Sequence, residues 1–346
     1  MPAKHILVLG AGSVGKRHLR NFASLGCRVS AMDPRRDRLD EAGKETELAY
    51  AFAALDEAWR ADDFDAVVIA SPPAFHVDQC LQCLQRGMPV LLEKPLSLSL
   101  ADARRLPASD AGRPASPALL IGYTYRWWPS IVHLRDMLRG GAIGKPLYAD
   151  FVMSAHLADW HPWEPYQQFF MASEKLGGGA LLDESHFIDL LVWLFGMPKS
   201  VYATVERISS LEIETDDHVD ILASYDWSFR ARIHLDLYGR PHEKTIRIVG
   251  ESGTLVWTFE PDAVRIGLGA GPDWKEIRFG HERNEMFLRL AGHFLDIVRG
   301  DAEPACALWD GLNVMEVVEA CRQSSRSGRS AELRSVGTDG ESYVSE

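Results

Sequence analysis

The chain has few cysteines for its length and no excess of positive charge. Five cysteines among 346 residues are too few for a disulfide framework, which indicates a reducing compartment, and we expect the cytosol. Lysine and arginine total 37 residues against 49 aspartates and glutamates, so the formal net charge is −12. Nucleic acids and anionic membrane surfaces attract basic proteins, so we expect neither as a partner.

Long apolar runs and internal repeats are also missing. No apolar run approaches the roughly 20 residues of a membrane-spanning helix, and the N-terminal run HILVLG is too short for a signal peptide. Cys80 and Cys83 form a CxxC, but they fall in a helical pattern with apolar neighbours, which favours two buried thiols over a redox pair. A chain of this length is long for one hydrophobic core and predicts two domains.

A glycine motif follows directly after the first predicted strand. The apolar run HILVLG (5–10) is typical of a strand buried on both faces, and GAGSVG leads from it into a helical pattern. In this context GxGxxG predicts a dinucleotide-binding turn, because its glycines permit a tight turn, approach of a pyrophosphate and close packing of helix on strand. The helix N-terminus offers N–H groups to the phosphates. The candidate residues are Gly10, Gly12, Ser13, Val14 and Gly15.

The second predicted strand, residues 27–33, ends in an acid that bears on the choice of cofactor. Asp33 lies about 20 residues beyond the motif, where a carboxylate accepts hydrogen bonds from the adenosine ribose. This carboxylate favours NAD because it repels the 2′-phosphate of NADP. Arg35 and Arg36 follow closely and are either a solvated helix start or a site for that phosphate. We predict NAD, with NADP possible, and Asp33 and Arg35 as cofactor-binding residues.

Two later strand ends carry further candidates. The predicted strand 65–70 leads into the turn SPPAFH, and the predicted strand 89–95 ends in EKP. Ligands of open α/β sheets bind beyond the carboxyl ends of the strands, so we expect both segments at the cofactor site. Lys94 is either a solvated surface lysine or a group held beside the nicotinamide. The candidates are Ser71, Pro72, His76, Glu93 and Lys94.

The pattern of elements changes after the apolar run ALLIGY at 118–123. The predicted domains are therefore 1–122 and 123–346. Longer strands with many apolar–polar alternations indicate a sheet with one covered face in the second domain. These strands are predicted at 148–156, 200–209, 218–227, 231–239, 244–250 and 253–260, with helices at 129–140, 180–195, 284–299 and 310–327.

The segment GGGALLDESHFID, residues 177–189, places acids and a histidine at the start of the apolar helix predicted at 180–195. Charged groups in a buried helix are costly unless they are paired or lie beside a wet cleft. We therefore expect the polar residues to face a cleft. The three glycines would let the backbone pass close to a cofactor or substrate before the helix begins.

The combination of GAGSVG, SPPAFH, EKP and GGGALLDESHFID resembles the glucose–fructose oxidoreductase/inositol dehydrogenase family (Gfo/Idh/MocA). The resemblance implies a Rossmann dinucleotide-binding domain and a C-terminal α/β domain with an open, mostly antiparallel mixed sheet, with the active site between them. It implies hydride transfer between a nicotinamide and a sugar, polyol or sugar derivative. It also implies a homodimer or homotetramer formed through the C-terminal sheet.

The resemblance also implies roles for individual residues. Lys94 matches the lysine of EKP, whose peptide bond to proline is often cis, and His186 matches the family's histidine. Asp183 and Asp189 match acids near that histidine, but Asp183 precedes it by three residues instead of the usual four, so either acid could support it. His186 would act as the base and Lys94 would stabilise the developing alkoxide. A satisfied polar cluster without chemistry is the alternative.

Substrate contacts are predicted from position and residue type. Trp160 and His161 lie in an aromatic segment that suits a sugar ring, although aromatic residues also pack cores and interfaces. Arg126 suits an anionic substituent or a structural ion pair. The predicted substrate-binding residues are Tyr123, Arg126, Trp160, His161, Asp183 and His186.

Two other functions remain open on the same fold. One is an NAD(H)-binding regulator without turnover, and the other is a redox-assisted glycoside hydrolase that retains its NAD. No metal is expected, because hydride transfer needs no Lewis acid and no cluster of ligand residues is apparent in the sequence.

Overall fold

The computed structural model describes residues 3–61, 63–107, 118–160, 165–280 and 282–333. The chain divides into two compact units. The first extends to Thr124 and includes Arg283–Gly311, and the second comprises Tyr125–Glu282 and the chain from Leu312 onward. Among the described residues, no helix has the length and apolar character needed to cross a membrane.

The first unit is built on a six-stranded parallel sheet with the order β3-β2-β1-β4-β5-β6. This order is that of a Rossmann dinucleotide-binding domain and confirms the predicted fold class. Every residue of β1, β4, β5 and β6 is buried, as expected of short apolar strands in a parallel sheet. The strands are β1 (His5–Leu9), β2 (Arg28–Met32), β3 (Ala51–Phe52), β4 (Ala66–Ile69), β5 (Val90–Leu92) and β6 (Leu119–Ile121).

Helices connect these strands. They are α1 (Ser13–Ser24), α2 (Arg36–Glu45), α3 (Leu55–Ala61), α4 (His76–Gln85) and α5 (Leu100–Ala103). Cys80 and Cys83 lie on α4 with no exposed surface, and burial raises the pKa of Cys83 to about 12. Both thiols are free cysteines of the core, as the sequence interpretation favoured.

The second unit contains a nine-stranded mixed sheet with the order β14-β13-β12-β11-β7-β10-β9-β8-β15. Strands β7 and β10 pair in parallel and every other pair is antiparallel, which confirms the predicted open, mostly antiparallel sheet. The strands are β7 (Pro146–Ser154), β8 (Ser200–Glu206), β9 (His218–Ser224), β10 (Arg230–Asp236), β11 (Glu243–Gly250), β12 (Gly253–Thr258), β13 (Ala263–Leu268), β14 (Trp274–Arg278) and β15 (Ala331–Glu332). The sequence interpretation had missed β13, β14 and β15.

The helix predicted at 180–195 is two helices, α7 (Ala180–Asp183) and α8 (His186–Phe195). At the junction the Phe187 N–H donates to the Glu184 carbonyl oxygen at 3.0 Å. The two residues are three positions apart, whereas the hydrogen bonds of an α-helix join residues four positions apart. The polar residues Asp183, Glu184 and Ser185 favour such a break because their side chains compete with helical backbone bonds. The prediction of one helix was wrong, and His186 starts a helix of its own. Helix α6 (Pro129–Arg139) agrees with its prediction to within one residue.

The chain returns to the first unit after the second sheet. Helix α9 (Asn284–Arg299) packs on α1, where the ring of Phe287 lies 6.0 Å from that of His18. The side-chain amides of Asn284 and Asn21 bond to each other at 2.9 Å. The compact units therefore differ from the predicted division after residue 122 in the placement of 283–311. Helix α10 (Leu308–Ser327) follows α9 in the chain.

Candidate active site

The glycine turn after β1 has no space for side chains at two of its positions. Gly10 has a φ of +92°, and a Cβ on it would lie 2.7 Å from the Ala70 carbonyl oxygen. A Cβ on Gly15 would lie 1.8 Å from the carbonyl oxygen of Gly10. At position 10 a side chain is excluded by the backbone that directly follows β4. At position 15 it is excluded by the packing of α1 on the turn.

Gly12 is free of such packing and leaves space beside the start of α1. The nearest atom to a Cβ on Gly12 is Nη1 of Arg38, at 3.9 Å. No side-chain hydrogen bond from a described residue caps α1, so the N–H groups of Ser13, Val14 and Gly15 have no acceptor within the helix. These donors and the open side of Gly12 fit the pyrophosphate of a dinucleotide.

Asp33 follows β2 and holds the glycine turn in place. The residue is buried, its Oδ2 accepts a hydrogen bond from Ala11 N at 2.8 Å, and its Oδ1 accepts one from Arg35 N at 2.9 Å. A carboxylate has about four acceptor positions, so these bonds leave acceptors for the ribose hydroxyls. The structure thus gives Asp33 a structural role that is compatible with the predicted one.

Arg38 lies closer to the turn than the predicted Arg35. The Arg35 guanidinium bonds to the exposed Asp37, with Nε 3.2 Å from Oδ1, and this bond lowers the pKa of the Asp37 carboxyl. Arg38 Nη1 lies 3.9 Å from Asp33 Oδ2. The sequence interpretation missed Arg38, although it is the third arginine of the run PRRDR.

Glu93, predicted to contact the cofactor, is buried against α1. Its Oε1 accepts a hydrogen bond from Nε2 of the completely buried His18 at 2.7 Å. A Cβ on Gly122 would lie 3.1 Å from Glu93 Oε2, so this oxygen is enclosed as well. Glu93 therefore ties the strand end that carries Lys94 to the helix of the glycine motif. His18 was missed, although it shares the buried helical phase of Gly15, Leu19 and Phe22.

His76 fastens the turn after β4 to the segment after β5. Its Nδ1 lies 2.8 Å from the Pro95 carbonyl oxygen and its Nε2 lies 2.9 Å from the carbonyl oxygen of Ser71, which forms that turn with Pro72. Burial lowers the pKa of His76, and the two carbonyl groups act in the opposite direction. The peptide bond between Lys94 and Pro95 is cis, and Lys94 is half-buried. His76 and Glu93 thus fix the backbone on both sides of Lys94.

Two of the glycines at 177–179 in the second unit, Gly178 and Gly179, are required by protein contacts. A Cβ on Gly178 would lie 2.1 Å from the Met171 carbonyl oxygen. Gly179 has a φ of +104°, and its Cβ would lie 2.4 Å from Oδ1 of Asp216. Asp216 Oδ2 in turn accepts a hydrogen bond from Leu181 N at 2.8 Å, in the first turn of α7. A side chain at Gly178 or Gly179 would therefore meet protein groups, and the approach of a cofactor or substrate to this backbone stays a prediction.

His186 stacks on an aromatic ring that the sequence interpretation did not select. The rings of His186 and Tyr125 are 4.6 Å apart between centroids and inclined by 16°. Tyr125 is 5% exposed, and its hydroxyl oxygen accepts a hydrogen bond from Lys244 Nζ at 2.7 Å. Lys244 is itself only 8% exposed and lies 5.4 Å from the centre of the Tyr125 ring. The side chains of Lys244, Tyr125 and His186 therefore form a row of successive contacts in the second unit.

Lys244 was identifiable from the strand pattern. In β11 the side chains of Ile246 and Ile248 face the core, and Lys244 is in phase with them. A lysine in the inward phase of a strand is unusual because its charge must be satisfied inside. Tyr125 carried no comparable signal, since an aromatic residue after a strand is common in any core.

Arg126 and Asp189, predicted separately as a substrate ligand and a supporting acid, bond to each other. Arg126 Nη2 donates to Asp189 Oδ1 at 2.7 Å and Nε donates to Oδ2 at 3.0 Å. Both side chains are buried, with exposures of 4% and 0%. Removing one partner of such a pair costs about 3–5 kcal/mol, because the other charge is left uncompensated. Of the two roles predicted for Arg126, this geometry favours the structural ion pair over the contact with an anionic substrate group.

The remaining predicted residues differ in their burial. Asp183 ends α7 and is 6% exposed, and Tyr123 has no exposed surface in the first unit. Trp160 is half-exposed, and its indole N–H bonds to no described residue. His161 lies outside the described residues.

The strand order, the glycine turn and the buried acid of the first unit define an NAD-binding Rossmann domain of an oxidoreductase. Residues 4–111 match the family model described as oxidoreductase family, NAD-binding Rossmann fold, and residues 131–256 match the GFO/IDH/MocA C-terminal domain. The chain belongs to the Gfo/Idh/MocA family, as its motifs predicted. It is an NAD-dependent oxidoreductase.

Relatives of this chain match along almost all of its length. A D-apiose dehydrogenase of Paraburkholderia graminis is 25% identical, over 98% of this chain and 92% of the relative. Inositol 2-dehydrogenase 2 of Saccharopolyspora erythraea is 27% identical, over 94% of each chain. Among solved structures, a levoglucosan dehydrogenase in complex with NADH has a TM-score of 0.86 at 16% identity, over 96% of this chain and 100% of the other. That likeness establishes the fold alone.

Proposed function

We propose that the protein transfers a hydride between NAD and a carbon bearing a hydroxyl group in a sugar, polyol or sugar derivative. The observation that carries the proposal is the stack of His186 on Tyr125, with Tyr125 bonded to the buried Lys244. An imidazole that is held in a fixed plane is suited to accept the proton of a hydroxyl. The full-length relatives named as D-apiose and inositol dehydrogenases support a substrate of this class.

The proton and the hydride leave the substrate by different routes. NAD supplies the hydride acceptor when it is bound. His186 takes the hydroxyl proton. The stabilisation of the developing negative charge on the alkoxide is assigned to Lys94 because of the family resemblance of its EKP motif. Oxidation then yields a carbonyl compound, and the reverse direction uses His186 as the acid.

Tyr125 acts as a positioning residue in this scheme. Its ring fixes the plane of the imidazole, and its hydroxyl is fixed by Lys244. The buried ion pair of Asp189 with Arg126 favours Asp183 as the acid that supports His186. Asp183→Asn should therefore lower turnover while leaving the fold intact, whereas Asp189→Asn should chiefly lower stability. Turnover and the free energy of unfolding, measured on both variants, separate the two acids.

The proposal is tested by binding and turnover in the same preparation. Calorimetry with NAD and NADP establishes the cofactor, and absorbance at the reduced-nicotinamide band is then followed with inositols, pentoses, hexoses and anhydrosugars. We expect NAD to bind and at least one polyol or sugar to reduce it. Binding of NAD without a signal from any compound would contradict the proposal and favour the regulator. Cleavage of glycosides without net reduction would favour the hydrolase.

Two variants connect the activity to the assigned residues. Lys94→Ala and His186→Gln should each lower turnover by roughly 10²–10⁴-fold, the usual contribution of a proton-transfer or oxyanion group, and both should bind NAD normally. His133→Gln is a matched control, because His133 is half-buried beside Phe279 and has no part in the scheme. Turnover at the wild-type rate in either variant would remove that residue from the mechanism.

A further inference from the structure

Two histidines and an aspartate converge on the outer face of the second sheet. His218 and Asp220 lie on β9, where they alternate with the buried Val219 and Ile221. His234 lies on the neighbouring β10 and is the direct cross-strand partner of Asp220. The three side chains therefore project from the face opposite the core. None of them belongs to the site proposed for hydride transfer.

The distances within this cluster suit a bound metal ion. Nε2 of His218 lies 3.2 Å from Oδ2 of Asp220, and Nδ1 of His234 lies 3.0 Å from Oδ1 of the same carboxylate. One ligand atom from each residue can be chosen so that all lie within 4.8 Å of one another. Tetrahedral zinc, with bonds of about 2.0–2.2 Å to nitrogen and oxygen, separates its ligands by roughly 3.3 Å. The two distances to the Asp220 carboxylate are already close to that spacing.

A second layer of hydrogen bonds orients both imidazoles. Nε2 of His234 lies 3.1 Å from Oδ2 of Asp236, and Nδ1 of His218 lies 2.9 Å from the Tyr238 hydroxyl. Asp236 is itself fixed, because its Oδ1 accepts a hydrogen bond from Gly239 N at 2.6 Å. Histidines that bind metals are usually held in this way through the nitrogen that does not face the ion.

The local charge favours a cation at this place. Two carboxylates lie against the imidazole of His234, with Asp220 Oδ1 at 3.0 Å from its Nδ1 and Asp236 Oδ2 at 3.1 Å from its Nε2. Carboxylates this close to a ligand nitrogen make it a better donor to a metal ion.

We propose that His218, Asp220 and His234 bind a divalent transition-metal ion. Two imidazoles and one carboxylate suit zinc and its neighbours in the first transition row, whereas magnesium and calcium prefer oxygen ligands throughout. The ligand atoms are His218 Nε2, His234 Nδ1 and a carboxylate oxygen of Asp220, and a fourth position remains for water or another ligand. The sequence interpretation found no ligand cluster because these residues meet only through the register of β9 and β10.

The test uses the full chain after removal of metals with a chelator, and zinc is the probe. We expect calorimetry to show one tight zinc site per chain. Asp220→Asn and His234→Gln should each weaken it at least about tenfold, and Tyr238→Phe should weaken it less. His242→Gln provides the matched control, since His242 is an exposed histidine outside the cluster, and its loss should leave the tight site unchanged.

Cobalt gives a second readout that a merely structural cluster would not produce. Cobalt(II) bound by two imidazoles and a carboxylate in a four-coordinate site should show strong visible absorption in the wild type, and zinc should displace that signal. Absence of a tight zinc site in the wild-type protein would overturn the proposal. Equal zinc affinity in the wild type and in folded Asp220→Asn would do the same. Because the wild-type stoichiometry is decisive by itself, the test does not depend on every variant folding.

Discussion

At the residue scale, several predicted site residues bond to other protein groups and so hold another candidate in position. His76 and Glu93 fix the backbone on both sides of Lys94, through Pro95 and His18 respectively. The sequence motifs identified the right segments. They did not distinguish the residue that faces a ligand from the residues that support it, because that distinction depends on where each side chain finds its partner.

Asp33 offers a test of cofactor choice at this scale. Asp33→Asn should lower the preference for NAD over NADP by roughly tenfold or more, because a charge-assisted hydrogen bond to the ribose contributes about 1.5–3 kcal/mol. Some affinity for both cofactors should be lost as well, since Asp33 also holds Ala11 in the glycine turn. The measurement is the ratio of the two dissociation constants by calorimetry. Asp56→Asn, at an exposed acid in the first turn of α3, is the control, and an unchanged ratio in Asp33→Asn would place the ribose elsewhere.

Lys244 offers a test of the electrostatic environment of His186. Lys244→Met keeps the length of the side chain and removes a buried positive charge beside Tyr125. Without that charge the protonated imidazole is less disfavoured, so the acid limb of the pH–rate profile should move to higher pH. Lys275→Met, at an exposed lysine of β14, should leave the profile in place. A uniform loss of rate with no shift of the limb would instead indicate that Lys244 serves only the packing.

At the element scale, the junction between α7 and α8 decides the geometry of the GGGALLDESHFID segment. A single helix would place Asp183 and His186 one turn apart on a common axis. The break assigns them to different helices, so their spacing in the sequence no longer fixes the angle between them. Hydrophobic periodicity could not reveal the break, because the apolar residues on both sides are buried and the pattern continues through it.

The glycines before this junction offer a stability test. Gly179→Ala should lower the free energy of unfolding by roughly 3 kcal/mol or more, because the added Cβ meets the Asp216 carboxylate and the φ is positive. Gly269→Ala is the matched control, since Gly269 has a φ of +69° and nothing within 4 Å of its Cβ position. It should cost only about 1–2 kcal/mol, the price of the backbone conformation. Equal losses in urea denaturation would show that the contact with Asp216 contributes nothing.

At the scale of the whole molecule, the predicted oligomer through the C-terminal sheet stays a prediction, and the outer face of that sheet supports it. Tyr148, Tyr202 and Leu222 are exposed there by 36%, 45% and 54%. Tyr202 and Leu222 are cross-strand partners on β8 and β9. Large apolar side chains grouped on a solvent-facing sheet are typical of an interface.

Leu222→Lys should therefore lower the mass measured by analytical ultracentrifugation, because it places a charge beside Tyr202 on that face. Ile208→Lys is the control, since Ile208 is 57% exposed but lies beyond the end of β8. A wild-type protein that sediments as a monomer at all concentrations would show the predicted oligomer to be wrong. A Leu222→Lys variant with unchanged mass would place the interface on another surface.

The sequence by itself determined the fold class, the family and the NAD-binding turn, because local patterns encode them: short apolar strands, glycines required by backbone contacts at Gly10 and Gly15, and an acid at the end of β2. Only the tertiary structure decided the pairings. The ion pair of Arg126 with Asp189, the stack of Tyr125 on His186 and the position of Lys244 join residues that are 60 or more positions apart in the chain. Such contacts depend on strand register and on the packing of elements, which periodicity does not report. The return of α9 to the first unit has the same cause, since its contact with α1 through Asn21 and Asn284 joins residues 263 positions apart.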